Sequence, residues 1–145
     1  MPLTDLPVYF ATALPQKTEE YIVKYFGDIR TKCSLPEFVG ILLNFVQTSF
    51  DYQTDEEQFG REKYFYPEEI LAYPFCDCED RAAFFARLVR NLTGLEVVGL
   101  DYPGHVATAV CFGDVAVEGD AFTHKGHRYG SHLYKCFCRY GDASI

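Results

Sequence analysis

Cys78 and His105 are the residues whose types and spacing point most directly to chemistry. Cys78 lies in DCEDR (residues 77–81), at the start of a predicted helix, and His105 follows Gly104 at the start of a predicted strand. A thiol attacks a carbonyl group as the thiolate, and a helix N-terminus together with a nearby imidazole lowers the thiol pKa. We therefore predict a nucleophile and its base, with the sulfur within a few ångströms of the imidazole ring in a solvent-reachable cleft.

Each of the two residues also has a simpler interpretation. A free cysteine is most often inert and buried, and a single histidine is often a hydrogen-bonded core residue. Small residues favour the catalytic interpretation, because Ala82 behind Cys78 and Ala107 behind His105 would let the helix and the strand approach closely. The expected strand face comprises His105, Ala107, Ala109 and Cys111.

Three helices are predicted ahead of the strands. The first runs around Lys17–Phe26, inside an N-terminal segment of residues 1–32. The second starts at Ser34 in a capping-box pattern and runs to about Phe50. The third runs from Cys78 to about Asn91 and is apolar nearly all round, which predicts a central position. Asp77 is its expected N-cap and Gly94 its expected C-terminal stop.

The predicted strands follow as a meander, at Glu96–Tyr102, His105–Phe112 and Val115–Glu118. Gly113-Asp114 and Lys125-Gly126 have the composition of hairpin turns. Between the second and third helices, residues 51–67 form a predicted aromatic-rich loop that either lines a site or anchors itself on aromatic plugs, and a short helical turn follows from Pro67 to Tyr73. Helices followed by antiparallel strands indicate an α+β fold, with the central nucleophile helix packed on the sheet.

Composition limits the partners of the chain. Its 145 residues correspond to one domain or to part of one, and 48% hydrophobic residues are enough for a core. The formal charge of −8 argues against nucleic acid or an anionic membrane as the main partner. No apolar run reaches the length of a membrane span, and residues 1–8 lack the pattern of a signal peptide. We expect a cytoplasmic location by default, with the cell envelope open for a longer parent protein.

The cysteines are expected to be free thiols, and no metal or cofactor is predicted. They are Cys33, Cys76, Cys78, Cys111, Cys136 and Cys138. The two Cys-x-Cys pairs have one intervening residue, whereas zinc sites space paired cysteines by two to four, so a thiol–metal module is the weaker alternative. A metal site built from His124, His127 and His132 with the second pair is conceivable, but solvated loop histidines are the expectation.

The motifs resemble the transglutaminase-like superfamily of papain-type cysteine enzymes, in particular bacterial domains with a DCEDR helix and a GHVA strand. The matching segments are DCEDRA (77–82) and LDYPGHVATAV (100–110), and the resemblance extends over residues 34–129. It implies a papain-like fold and a Cys–His–Asp triad. Cys78 would be the nucleophile, His105 the base that then protonates the leaving group, and the third acid would orient the imidazole.

The third acid is where this chain departs from the family. The family places it in an Asp-Pro-Thr segment, and the corresponding region here reads GSHLYKC (130–136). Asp120 would fall opposite Ala107 if Phe112 pairs with Val115, so it is our substitute, although an Asp after Gly is more often a turn residue. One back-translation of residues 130–143, read one base later, gives VVICISASVGMAMP, which is similar to the continuation that family members have. A frame-shifted tail would explain this similarity. We therefore predict a domain over residues 33–145 whose sequence is truncated or altered after about residue 129.

The resemblance implies acyl transfer from a peptide amide through a Cys78 thioester, and loss of the third acid would impair it. Water as acceptor gives a peptidase or amidase, and an amine acceptor gives cross-linking; both remain open. The expected partner is a peptide or protein substrate. The first alternative is a non-catalytic peptide- or protein-binding domain of the same fold, and the second is the thiol–metal module. The oxyanion hole would include the Cys78 backbone N–H, with Gln58 as a candidate side-chain donor.

Overall fold

The computed structural model describes residues 10–61, 63, 66–102, 105–113 and 121–130, and their side chains except at 101, 102, 105, 121, 122, 124 and 127–130. The helices are α1 (Gln16–Arg30), α2 (Leu35–Thr48), α3 (Asp55–Phe59) and α4 (Cys78–Thr93). The strands are β1 (Asp51–Tyr52), β2 (Phe75–Cys76), β3 (Glu96–Tyr102), β4 (His105–Cys111), β5 (Ala121–His124) and β6 (His127–Gly130).

Side-chain caps explain where α2 and α4 begin. Ser34 and Asp77 are the N-caps, and each forms a reciprocal capping box with the acidic residue three positions later. These bonds satisfy backbone N–H groups that have no partner within the helix. At its other end α4 stops at Gly94, whose φ of 71° is the left-handed conformation that glycine tolerates best. The predicted starts of both helices and the stop at Gly94 are confirmed.

The prediction of a continuous aromatic loop over residues 51–67 is wrong. This segment contains β1, which pairs in parallel with β2, and the short helix α3. Thr54 caps α3 with the backbone N–H of Glu57 as partner, and Gly60 ends it with a φ of 66°. Thr54-x-x-Glu57 is itself a capping-box pattern, so the sequence carried this signal. The helical turn expected from Pro67 to Tyr73 is a 3₁₀-helix over Glu69–Leu71.

The larger sheet has the strand order β3-β4-β6-β5, and all its pairings are antiparallel. β3 and β4 pair along their whole length, from Glu96↔Cys111 to Tyr102↔His105. The Lys125-Gly126 turn joins β5 to β6 with φ values of 48° and 81°, as a tight hairpin requires, so this turn is confirmed. The architecture is therefore α+β as predicted, while the strand expected at Val115–Glu118 lies outside the described residues.

One hydrophobic core joins α4 to both neighbouring helices and to the sheet. It includes Phe26 of α1, Phe38 and Leu42 of α2, Val110 of β4, and most of α4. Phe10 and Leu14 belong to the same core, so residues 10–32 pack with the rest of the described chain. No helix among the described residues is long and apolar enough to cross a membrane.

The face of β4 that packs toward α4 differs from the prediction. Val106 and Val110 belong to the core with α4, whereas Ala109 and Cys111 form a separate cluster with Val98 and Leu100 on the other face. The expectation that the alanine face lies against the helix is thus wrong. Valines bury more apolar surface than alanines do, and the helix itself supplies the small residues. These are Ala82, Ala83 and Ala86, all fully buried.

Candidate functional site

Cys78 is the first residue of α4, as predicted. Its thiol donates a hydrogen bond to Glu79 Oε2 at 3.3 Å, and the residue is only 4% exposed. The helix N-terminus favours a thiolate at this position, whereas the carboxylate of Glu79 favours the protonated thiol. The expected open cleft around the sulfur is not present, because burial leaves almost none of the residue in contact with solvent.

Asp77, the residue before Cys78, is a buried N-cap. Its Oδ1 accepts the Asp80 backbone N–H at 3.2 Å, and Asp80 Oδ2 accepts the Asp77 backbone N–H at 3.0 Å. Burial raises the pKa of Asp77 well above its ordinary value, and the negative charges of Asp80 and Glu79 raise it further. The raised pKa favours the protonated form of Asp77, which carries less of the negative charge that opposes a Cys78 thiolate.

Asp55 brings a third buried carboxyl group to the start of α4. It accepts the backbone N–H of Lys63 at 2.6 Å, and burial is the main cause that raises its pKa. Carboxylate oxygens of Asp55, Asp77 and Asp80 lie within 4.8 Å of one another. Oxygen ligands suit hard cations, but retained protons also explain such a cluster. We assign no metal to it, because backbone N–H groups already donate hydrogen bonds to an oxygen of each of the three carboxyl groups.

Cys76 and Arg81 form a second buried contact beside the nucleophile candidate. Cys76 Sγ accepts a hydrogen bond from Arg81 Nε at 3.3 Å and donates to Asp51 O at 3.6 Å. Burial raises the pKa of the Cys76 thiol to about 11, so it is protonated at neutral pH. Among the described residues, the potential metal-ligand group contains Asp55, Asp77 and Asp80 and neither Cys76 nor Cys78. Cys136 and Cys138 lie outside the described residues.

Arg81 was not singled out from the sequence. Its guanidinium is buried, donates from Nη2 to Phe50 O at 2.7 Å, and has its Cζ 5.3 Å from the centroid of the Tyr52 ring. The sequence offered no signal that separates Arg81 from the other charged residues of α4, which are Glu79, Asp80, Arg87 and Arg90.

His105 opens β4, opposite Tyr102 in the pairing with β3. The backbone position agrees with the predicted strand start, but the imidazole lies outside the described side chains, and Asp120 lies outside the described residues. The Cys78–His105–Asp120 triad therefore stays a prediction. The small residues of β4 no longer support it, because Val106 and Val110 pack in the core with α4 while Ala109 and Cys111 form a separate cluster. His124 and His127 are direct partners in the β5–β6 hairpin, with side chains that are likewise not described, and His132 lies outside the described residues.

No family model, curated protein or solved structure matches the chain. The case for a function consequently depends on the residues themselves and on the motif resemblance.

Two further features concern substrate access. Gln58 lies on α3, and its Oε1 is buried without a hydrogen-bond partner in the part of the chain that the structure describes. A cavity of about 490 Å³ lies elsewhere, at the junction of α1 and α2. Its lining residues are Lys32, Cys33, Glu37, Gly40, Ile41 and Asn44. Cys78 is not among them, so this cavity does not serve the candidate nucleophile.

Proposed function

We propose that this chain is a transglutaminase-like domain that transfers acyl groups from peptide amides through a thioester on Cys78. The observation that carries the proposal is the place of Cys78 at the first position of a capped, central helix. That position combines a positive helix end with backbone N–H groups that the helix does not use. His105 is the proposed base, and Asp120 the proposed third acid.

In this mechanism the Cys78 thiolate attacks the carbonyl carbon of the amide, and the carbonyl oxygen becomes an oxyanion. The Cys78 backbone N–H at the helix start is the proposed donor to that oxyanion, and Gln58 the candidate side-chain donor. The C–N bond breaks as protonated His105 gives its proton to the leaving amine, which leaves a thioester on Cys78. Water then gives hydrolysis, and a second amine gives cross-linking.

Burial of Cys78 favours one second candidate, a non-catalytic binding domain of the same fold. Cys78 is 4% exposed and its thiol is hydrogen-bonded to Glu79, so the sulfur reaches a substrate only after local opening. The missing Asp-Pro-Thr segment points the same way, because loss of the orienting acid costs about four orders of magnitude in serine enzymes. A domain of this kind would bind peptides and carry no reactive thiol.

The deciding experiment uses the full chain with casein as acyl donor and a fluorescent primary amine as acceptor. We expect slow amine incorporation or casein cleavage, and an acyl-Cys78 adduct by mass spectrometry after acid quenching. Cys78→Ala should abolish both, while Cys33→Ala, which removes a half-exposed thiol far along the chain, should leave them unchanged. Equal activity in the two variants, or no adduct on Cys78, would contradict the enzyme and leave the binding domain.

A further inference from the structure

Arg81 contacts both residues that lead into Cys78. We propose that Arg81 is a positioning residue, which holds the start of α4 so that the Cys78 thiol keeps its place at the helix N-terminus. This inference rests on the proposed function only in taking Cys78 as the nucleophile. It assigns Arg81 no contact with substrate.

The contacts of Arg81 tie the start of α4 to a distant part of the chain. Its backbone N–H donates to Asp77 O at 3.2 Å, and its Nε donates to Cys76 Sγ at 3.3 Å. Its Nη2 donates to Phe50 O at 2.7 Å, across 31 positions of sequence. The guanidinium therefore links Cys76, two positions before the nucleophile, to the segment that follows α2, whereas the bond to Asp77 O is an ordinary backbone bond of the helix.

The planar guanidinium is suited to this role. It donates in several directions from one rigid group, which an ammonium on a flexible stem does not. Arg81 is 5% exposed, and a buried charge is tolerated only where hydrogen bonds compensate for lost hydration. The Tyr52 ring adds a cation–π contact at 5.3 Å, and Tyr52 pairs directly with Cys76 between β1 and β2. Movement of the helix start relative to these strands would break all of these contacts together.

Arg81 also supplies positive charge that balances the carboxyl groups around Cys76. Arg81 lowers the pKa of the Cys76 thiol through its hydrogen bond and charge, whereas Asp80 and Asp77 raise it. The charges of Asp55 and Glu79 in turn raise the pKa of Asp77. The charge of Lys63 lowers the pKa of Asp55. Displacement or loss of the guanidinium should therefore disfavour a thiolate at the helix start.

The experiment measures the rate of Cys78 alkylation by iodoacetamide against pH, by peptide mass spectrometry on the folded full-length chain. Arg81→Met should raise the midpoint of the profile by about one pH unit or more. Arg81→Lys keeps the charge but cannot span both Cys76 and Phe50, so we expect a smaller shift in the same direction. Arg90→Met is the matched control, because Arg90 lies in the last turn of α4 and ties it to Phe10 O at 2.9 Å.

The profile of Arg90→Met should coincide with that of the unmodified protein, although its stability falls. If Arg81→Met does not fold, the alkylation midpoint of Arg81→Lys tests the inference. That variant keeps the positive charge and loses only the hydrogen-bond geometry of the guanidinium. Unshifted profiles in the folded Arg81 variants would overturn the inference while leaving the nucleophile intact. An ordinary thiol midpoint for Cys78 in the unmodified protein would overturn the nucleophile assignment, and the positioning role with it.

Discussion

Asp77 is the residue at which local structure and electrostatics conflict most. As an N-cap it stabilises α4, and its carboxyl group is nevertheless buried beside Asp80 with a strongly raised pKa. A group whose folded-state pKa exceeds its unfolded value stabilises the fold fully below the unfolded pKa, near 4 for Asp. That contribution declines as the pH rises toward the folded-state pKa, because the unfolded chain releases its proton first.

Replacing Asp77 by Asn should therefore flatten the pH dependence of stability between about pH 5 and 8. Asn retains the capping oxygen but does not titrate, so the unmodified protein should lose up to about 1.4 kcal/mol per pH unit relative to the variant. Urea unfolding at several pH values measures the difference. Parallel curves for the two proteins would show that Asp77 is ionised in the fold. The raised pKa of Asp55 should leave a residual slope in both.

Helix α4 carries the candidate nucleophile at one end and depends on glycine at the other. Gly94 ends the helix with a φ of 71°, a conformation that costs an alanine about 1 kcal/mol. Gly40 lies inside α2 with ordinary helical backbone, and a Cβ added there would have no neighbouring atom within 4 Å among the described residues. The two positions thus give opposite expectations for the same change of side chain.

Gly94→Ala should lower the free energy of unfolding by about 1 kcal/mol, and Gly40→Ala should raise it by about 0.5–1 kcal/mol. Thermal unfolding followed by circular dichroism compares them at one pH. A loss of stability in Gly40→Ala equal to that in Gly94→Ala would mean that backbone conformation does not explain the stop at Gly94.

Helix α1 contributes to the main hydrophobic core of the described residues. Phe26 is 3% exposed, and its ring lies 5.3 Å from that of Phe45 and 6.4 Å from that of Phe38, centroid to centroid. Edge-to-face packing of this kind adds to the apolar surface that α1 buries against α2. The N-terminal segment should therefore be needed for the stability of the domain, including the part that carries Cys78.

Phe26→Ala should cost about 3–5 kcal/mol, a large share of the stability of a typical domain. Tyr21→Ala on the same helix is the control, because Tyr21 is 74% exposed and its loss should change stability by less than about 0.5 kcal/mol. Denaturant unfolding with a core probe distinguishes the two. If Phe26→Ala were as mild as Tyr21→Ala, α1 would be an appendage and not part of the cooperative unit.

Local patterns in the chain were enough to place Cys78 at a helix start and His105 at a strand start. Capping boxes and alternating residues act over three or four positions, so they can be identified without knowledge of the fold. The same rule would have located α3 at Thr54, where the aromatic content of the segment instead suggested a loop. The identity of the third acid stays a prediction, because Asp120 lies outside the described residues.

Other properties of the site depend on contacts between distant segments, which no local pattern specifies. Which face of β4 meets α4 was decided by the greater apolar surface of Val106 and Val110. Asp55 joins Asp77 and Asp80 only because α3 folds back on the start of α4. Arg81 reaches Phe50 O across 31 positions, and burial of Cys78 follows from the same packing. Residue order thus determined which elements form, whereas burial and charge around the sulfur arose from how those elements pack.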